Sequence, residues 1–327
     1  MKRSILLCTL LLALPAIADE EDDALRAEAL RLFGSLKAPP AASLAGAEMK
    51  LGRALFWDMR ASLDGKTACA SCHPADAWGA DHRRASVDAR GEHTSRQSQT
   101  VFNAMAQPGL RWLADRKTGA DQAEGSMTGS MGFASKQAGM EKLRELGYEG
   151  AFKAAYPQEA AAFSARNYGR AIAAYEASLV TPAPFDRFLG GEDRAITERQ
   201  KAGLRTFMAA GCAGCHDGAL LGGTQLRKFG LAHDYWTATG SPKRDAGRYA
   251  VTKKEDDRYV FRVPMLRNVA RTAPYFHDGS VDTLDRAVAV MGEVQLGKTL
   301  DERTVSLIAA FLESLTGEVP AHSAPVP

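Results

Sequence analysis

Beyond its first twenty residues, this 327-residue chain contains no long apolar run. A membrane span needs about 18 or more apolar residues in succession, so no later segment is predicted to cross a membrane. Net charge is also small, because 41 Lys and Arg stand against 39 Asp and Glu. Without the basic residues at positions 2 and 3 the formal charge falls from +2 to 0, which gives no reason to expect nucleic acid or an anionic membrane as a partner.

The first 18 residues have the pattern of an export signal. Lys2 and Arg3 form a basic start, residues 5–14 are apolar, and Ala16-Ile17-Ala18 is a small-residue cleavage site. The alternative, a short N-terminal core helix, does not explain so abrupt an apolar start. We therefore predict a signal peptide at 1–18, removal of Cys8 with it, and a periplasmic protein.

Cysteine is scarce, and its spacing is informative. In an oxidising compartment, four cysteines outside the signal would normally indicate two disulfides. Here they form two C-x-x-C pairs, each followed directly by a histidine: Cys69, Cys72 and His73, then Cys212, Cys215 and His216.

C-x-x-C-H is the attachment motif of c-type haem. Two thiols at i and i+3 can each add to one haem vinyl group, and the histidine that follows is placed to give its imidazole to the iron. Zinc would need both pairs to converge on one ion, or a distant pair of histidines, and the sequence suggests neither. We predict two covalently bound haem c groups, with His73 and His216 as iron ligands.

Helical periodicity indicates where the main elements lie. Apolar stripes predict helices at 41–59, 136–156, 164–179, 283–291 and 301–315. Thr197 and Gln200 form a capping box that begins another helix, which Gly211 ends. Strand patterns are nearly absent. Residues 74–135 have weak periodicity and much Gly, Ser, Arg and Asp, so we predict a long irregular region packed against a haem.

A faint internal repeat suggests two similar units. Leu51-Gly52-Arg53-Ala54-Leu55-Phe56 precedes the first C-x-x-C-H motif, and Ala202-Gly203-Leu204-Arg205-Thr206-Phe207 precedes the second. Pro182 and Pro184 interrupt the helical pattern between them. We predict an all-α fold of two cytochrome c-like domains, at 19–181 and 182–316, followed by a flexible tail at 317–327.

Each iron needs a sixth ligand or an open position. For the second haem the candidates after His216 are His233, Met265, His277 and Met291. A thioether ligand would raise the reduction potential and suit electron storage. Met291 lies at about the distance after the motif that a cytochrome c methionine has, although a core methionine would have the same pattern.

Several segments resemble the bacterial dihaem cytochrome c peroxidases, a family that also includes the MauG-type enzymes, which oxidise tyrosines and tryptophans of other proteins. They are YVFRVP at 259–264, LRNV at 266–269, TAPYFHDGS at 272–280 and AVAVMG-x-x-QLG at 287–297. The last is similar to the family segment that supplies an axial methionine, which implies Met291 as that ligand. The resemblance covers almost the whole chain after residue 18 and is strongest over 185–317.

The resemblance implies a division of labour between the haems, which would lie near the domain interface. The His73 haem would be the low-potential peroxide site, and the haem held by His216 and Met291 the high-potential electron store. Trp112 matches the family tryptophan between the haems. Family members also bind calcium there, which implies backbone oxygens around Thr272 and Pro274 with the side chain of Gln97 where the family usually has Asn.

The first half departs from the family pattern. The histidine that caps the first iron in many members corresponds to Ala89, although His93 and His82 are near and are candidates to bind instead. The family's glutamine is matched by Gln122, but its glutamate position falls on Gly132. Glu124 is a candidate substitute, or simply a surface carboxylate. Losing a positioned acid–base group typically costs ~100- to 10,000-fold in rate.

The leading functional prediction is a periplasmic peroxidase that reduces hydrogen peroxide with electrons from a small cytochrome c or cupredoxin. One rival is a MauG-like oxidase of protein side chains. Another is a dihaem electron carrier or sensor without enzymatic activity, which the missing glutamate favours. A homodimer is the candidate assembly.

Overall fold

The computed structural model describes residues 14–325, apart from the side chains of residues 14–19 and 41. Most of the predicted signal peptide, including Cys8, lies outside the described residues. Positions 14–18 form the start of helix α1, Leu14–Phe33. None of the helices between residues 14 and 325 combines the length and apolar character that a membrane span needs.

The first half of the chain is built from short helices separated by a long irregular stretch. Its helices are α2 (Ala47–Trp57), α3 (Cys69–Cys72), α4 (Gly119–Ser126), α5 (Lys136–Glu145), α6 (Glu149–Ala155) and α7 (Ala165–Ser178). Between α3 and α4, the stretch predicted as irregular contains 3-10 turns and isolated β-bridges in the described structure. Helix α4 also lies within the predicted irregular region, and the weak periodicity there did not indicate it.

The second half repeats this plan with one small sheet added. Its helices are α8 (Pro184–Leu189), α9 (Glu198–Ala210), α10 (Tyr235–Thr239), α11 (Tyr249–Thr252), α12 (Leu284–Leu296) and α13 (Glu302–Glu313). Strands β1 (Leu226–Lys228) and β2 (Val260–Arg262) pair antiparallel, with Arg227 opposite Phe261. The fold is therefore helix-rich, as predicted.

Local sequence signals explain several helix ends. Ser164, Thr283 and Asp301 each accept a hydrogen bond from the backbone N–H three residues on. The Thr197–Gln200 capping box forms, and Gly211 ends α9 in the left-handed conformation. The helix expected at 136–156 is instead split into α5 and α6 at Gly147, whose φ of 83° is incompatible with a continuing helix.

The internal repeat has a structural cause. A Cβ on Gly52 of α2 would lie 1.8 Å from the Ala171 carbonyl oxygen of α7, and one on Gly203 of α9 would lie 2.0 Å from that of Leu307 in α13. Both helix pairs therefore cross with their backbones in contact. Phe56 and Phe207, at matching repeat positions, are buried at these crossings. The α2–α7 and α9–α13 crossings are equivalent parts of two units.

Packing crosses the predicted domain boundary at both ends of the chain. Leu25, Ala29 and Phe33 of α1 are buried in the second core with Phe185 and Phe207. The apolar stripe of α1 explains this, because it must be covered.

The C-terminal tail packs on the first half instead of extending freely. Val319 packs against the first core. The Tyr175 hydroxyl donates to the Ser323 carbonyl oxygen at 3.0 Å, and the Trp78 indole donates to that of Gly317. These contacts differ from the flexible tail expected at 317–327.

Candidate functional site

One cavity of about 650 Å³ runs between the two halves and reaches both C-x-x-C-H motifs. Its wall includes all four cysteines of the motifs and both histidines. It also includes Trp112, Gln122 and Met291. Most of the residues predicted from the sequence are therefore brought to one continuous space.

The first motif forms a single helical turn that opens into the cavity. In α3, Cys69 and Cys72 are three residues apart and so lie on the same face. Burial raises the pKa of the Cys69 thiol to about 12, so the unmodified group is a neutral thiol. The His73 Nδ1–H donates to the Gly79 carbonyl oxygen at 3.0 Å. This bond fixes the tautomer in which Nε2 is free to bind a metal.

The second motif has the same construction on a 3-10 turn, Cys212–Gly214. The His216 Nδ1–H donates to the Leu221 carbonyl oxygen at 3.1 Å, again leaving Nε2 as the ligating nitrogen. Burial lowers the pKa of both His73 and His216, which favours the neutral imidazole that a metal requires. Gly222 supports the arrangement, because a Cβ there would lie 2.3 Å from the Pro264 carbonyl oxygen and 3.2 Å from His216 Nδ1.

Zinc and disulfide do not account for these cysteines. All four are free thiols in the structure. Among the residues that the structure describes, His, Cys, Asp and Glu do not gather in groups of three or more that could hold a metal ion. Each motif instead contributes its own wall of the shared cavity.

A buried cation in the cavity wall shows that an anionic group fits there. Arg262 is 3% exposed. Its guanidinium donates to three neutral acceptors: the side-chain oxygens of Gln99 and Gln107 and the Arg111 carbonyl oxygen. A buried charge without a counter-charge is costly, and burial lowers the pKa of Arg262 to about 10. The propionate carboxylates of haem would supply the negative counter-charge that this guanidinium lacks.

Trp112 lies at the junction of the two halves. Its indole N–H donates to the Gln97 carbonyl oxygen at 2.9 Å, and its own carbonyl accepts from the Arg262 N–H at 2.7 Å. It lines the cavity, as does His277, whose ring centroid is 6.3 Å from that of the indole. The tryptophan is thus held at both its side chain and its backbone.

Three of the four candidate sixth ligands of the second site line the cavity, and one does not. Met265, His277 and Met291 line the cavity, whereas His233 is exposed and does not. His277 is enclosed by aromatic rings and is 2% exposed, with Phe261 stacked on it at 4.4 Å. The structure thus leaves the two methionines as the less enclosed candidates.

Of the two side chains expected to act on peroxide at the first site, Gln122 and Glu124, only one lines the cavity. Gln122, on α4, lines the cavity. Glu124 does not, because its carboxylate forms an ion pair with Lys136. The prediction of Glu124 as a substitute acid is therefore not supported: two residues on from Gln122, it lies on a different face of α4.

Neither candidate capping histidine reaches the cavity. The exposed His82 ring donates through Nδ1 to the Ala273 carbonyl oxygen at 2.8 Å. His93 is exposed beside Val87, in a β-bridge that closes a short loop.

The two positions at which the sequence departs from the family pattern contact each other. A Cβ on Gly132 would lie 3.1 Å from the Ala89 Cβ and 3.1 Å from the Leu63 Cβ. The Ala89 N–H also donates to the Ser130 carbonyl oxygen at 2.9 Å. Ala89 and Gly132 therefore pack against each other, and neither has a side-chain functional group that could face the cavity.

Three charged cavity residues were missed by sequence reasoning. Arg262 lies in the YVFRVP segment, but nothing in that segment marked its charge as part of the site. Glu176 has no motif around it, and Asp88 lies in a loop of weak pattern. Burial raises the pKa of Glu176 to about 8. For Asp88, burial opposes the effect of hydrogen bonds from the Glu92 and Arg90 N–H groups, but these prevail and hold its pKa below the usual value. Only their place in the fold reveals them.

The fold and the site define a class: a helix-rich protein in which two C-x-x-C-H motifs open into one cavity. Residues 46–194 match the family model for di-haem cytochrome c peroxidase. The chain is 43% identical over 284 residues to cytochrome c551 peroxidase of Pseudomonas aeruginosa, covering 85% of this chain and 81% of that protein. This chain belongs to the di-haem cytochrome c peroxidase family.

Two further comparisons agree. Cytochrome c peroxidase Ccp of Escherichia coli is 41% identical over 276 residues, covering 83% of this chain and 58% of that protein. A crystal structure of a MauG-like protein associated with microbial copper homeostasis superposes with a TM-score of 0.74 at 26% identity, covering 88% of this chain and 94% of that one. Family membership implies two haem c groups, and the free thiols, neutral histidines and buried Arg262 fit them.

Proposed function

We propose that this protein is a periplasmic peroxidase that reduces hydrogen peroxide to two molecules of water. The two electrons come from a small c-type cytochrome or cupredoxin, and the two protons come from solvent. The observation that carries the proposal is the single cavity that reaches both C-x-x-C-H motifs, with Trp112 held in its wall. When bound, the haems supply the redox chemistry: reaction with peroxide at one site and electron storage at the other.

The residues of the first site hold the peroxide-reactive group. Cys69 and Cys72 anchor it, and His73 ligates from one side with its tautomer fixed by Gly79. Gln122 is the polar side chain that faces the cavity from α4, and we assign it to orienting peroxide. Because Ala89 and Gly132 offer no ligand and His82 and His93 point elsewhere, the site accepts peroxide without a ligand having to leave first.

The residues of the second site suit an electron store. Cys212 and Cys215 anchor the group, and His216 and Met291 ligate it. Trp112 joins the two sites. Thr272 and Pro274 also line the cavity, and their backbone oxygens with the Gln97 side chain are the proposed calcium ligands. The predicted domains, 19–181 and 182–316, and the homodimer stay predictions.

Steady-state turnover tests the proposal. With a reduced small c-type cytochrome as donor, peroxide addition should oxidise two cytochromes per peroxide. Gln122→Leu should lower kcat/KM for peroxide, by roughly 100-fold if its hydrogen bond acts in the transition state. Glu124→Gln on the same helix is the matched control and should leave the rate unchanged. A chain that accepts electrons but shows no peroxide-dependent oxidation would be an electron carrier instead.

A MauG-like oxidase of protein side chains is the second candidate. The superposition on a MauG-like structure favours it. It predicts peroxide-dependent modification of an added protein without consumption of reduced cytochrome, so the same assay separates the two functions.

A further inference from the structure

A continuous series of aromatic rings leads from the cavity wall to the protein surface. It begins at Trp112, whose ring centroid is 6.3 Å from that of His277. The His277 ring is 5.3 Å from Tyr235, and Tyr235 is 5.2 Å from Trp236. Tyr259 closes the outer end, 5.0 Å from Trp236. Neighbouring rings in the series are thus within ordinary aromatic contact distance.

The inner rings are buried and the outer ones reach solvent. His277 is 2% exposed and Tyr235 is 0% exposed, whereas Trp236 and Tyr259 are half-buried. The inner rings are also held in place by hydrogen bonds. The Tyr235 hydroxyl accepts from the Asp245 N–H at 2.8 Å and donates to the Asp245 carbonyl oxygen. Asp245 in turn forms a bidentate ion pair with Arg96 of the first half.

Indole and phenol are the readily oxidised rings of this series, and an indole stands on each side of the buried His277 and Tyr235 rings. We propose that oxidising equivalents leave the haem cavity through Trp112 and the buried His277 and Tyr235 rings to Trp236, which thereby becomes a surface site for oxidising small one-electron reductants that do not enter the cavity. This inference rests on the proposed peroxide activity. It adds a second substrate class to it.

Electrons and protons balance along this path. Peroxide takes two electrons from the haem pair and two protons from solvent to form two water molecules. Each of the two electrons is replaced by one that passes inward from Trp236 through Trp112. Arg244 lies over the Trp236 ring at 4.8 Å and disfavours a positive ring, so the indole releases its N–H proton as it loses an electron. Among the described residues none accepts a hydrogen bond from this N–H, so the proton goes to water. A surface reductant then returns one electron, and water returns the proton.

The charges around Trp236 select the kind of reductant. Arg244 is exposed and lies over the ring, and Lys243, the residue before it in the chain, is also exposed. Arg286 donates to the Ala238 carbonyl oxygen on the same helix as Trp236. Asp234, which precedes this helix, and Asp285, next to Arg286, are the exposed acids that oppose these charges, since Asp245 is paired with Arg96. The excess of positive charge favours anionic one-electron reductants.

The test compares two surface aromatic rings, each covered by an arginine. Trp236→Phe removes the outer indole. Tyr249→Phe is the matched control, because Tyr249 lies under Arg258 at 4.1 Å and, within residues 14–325, contacts no other aromatic ring. With peroxide and the anionic dye ABTS as reductant, Trp236→Phe should lower kcat/KM for ABTS roughly tenfold or more, and Tyr249→Phe should leave it unchanged. Arg244→Gln, which keeps the ring, should raise the KM for ABTS.

A second measurement identifies the oxidised residue directly. After peroxide is added without any reductant, peptide mass spectrometry should find oxygen added at Trp236 in the native protein and in Tyr249→Phe. Equal ABTS oxidation by native protein and Trp236→Phe, or haems that react with peroxide while Trp236 stays unmodified, would overturn the path alone. Haems whose spectrum peroxide leaves unchanged would instead overturn the proposed function, and the path with it.

Discussion

At the scale of single residues, Gly132 is the clearest departure from the family's sequence pattern. Its φ of 84° strains any other residue, and a Cβ would crowd Ala89 and Leu63. We predict that Gly132→Ala destabilises the fold by about 1–2 kcal/mol for the left-handed backbone and by a further increment for crowding. Gly147→Ala separates the two effects, since Gly147 has φ 83° and nothing within 4 Å. If Gly132→Ala and Gly147→Ala lower the free energy of urea unfolding equally, crowding against Ala89 and Leu63 contributes nothing.

The buried guanidinium of Arg262 gives a second prediction. Arg262→Met leaves the side-chain oxygens of Gln99 and Gln107 without their donor, which costs ~1–3 kcal/mol for each buried group. It also removes a positive charge from the cavity, so a haem potential should fall. Arg303→Met, at an exposed position of α13 outside the cavity wall, is the control. Potentiometric titration in which Arg262→Met and Arg303→Met both match the native protein would contradict this role.

The sequence was informative about residues whose chemistry is local. C-x-x-C-H identified six residues of the cavity wall because the motif itself positions the thiols and the imidazole. It could not identify Arg262 or Glu176, because a charge becomes functional there only when distant segments bury it. Glu124 is a different case: its nearness to Gln122 in sequence did not place the two side chains on the same face of α4.

At the scale of elements, the position of α1 differs most from what the sequence predicted. It belongs by sequence to the first half and packs in the second core. We predict that Phe33→Ala, which removes a ring buried against Phe185 and Phe207, costs about 3–5 kcal/mol. Leu30→Ala on the same helix removes a side chain of a residue that is 41% exposed and should have little effect. Thermal unfolding that ranks the two equally would contradict this packing.

The internal repeat shows why elements were easier to predict than their packing. The matching positions of Gly52 and Gly203 could be read from the sequence, and both proved to be helix crossings. The partners at those crossings, α7 and α13, could not be read, since nothing local to a glycine specifies the backbone it contacts.

At the scale of the whole molecule, the Arg96–Asp245 ion pair joins the two halves beside the cavity. Burial alone would raise the pKa of Asp245, but hydrogen bonds from Arg96 and the Gly247 N–H outweigh it and the pKa is lowered. A lowered folded-state pKa gives stability that is present above the unfolded value of about 3.9 and is lost as pH falls through the folded value. The native protein should therefore lose more stability between pH 5 and acid unfolding than Asp245→Asn does.

That comparison needs an exposed acid as its control. Asp256→Asn changes a carboxylate that is exposed on a surface turn and should keep the native acid dependence. Identical acid profiles for the native protein and Asp245→Asn, measured by chemical unfolding at each pH, would exclude the ion pair as a pH-dependent link between the halves.

The most direct test of the central claim is a pair of spectra of the fully oxidised dihaem protein, optical and EPR, before and after one equivalent of peroxide. We predict two haems per chain, one of them high-spin, and an immediate reaction of that haem with peroxide without prior reduction, since neither His82 nor His93 lines the cavity. Two low-spin haems that peroxide leaves unchanged would contradict the account and leave an electron carrier.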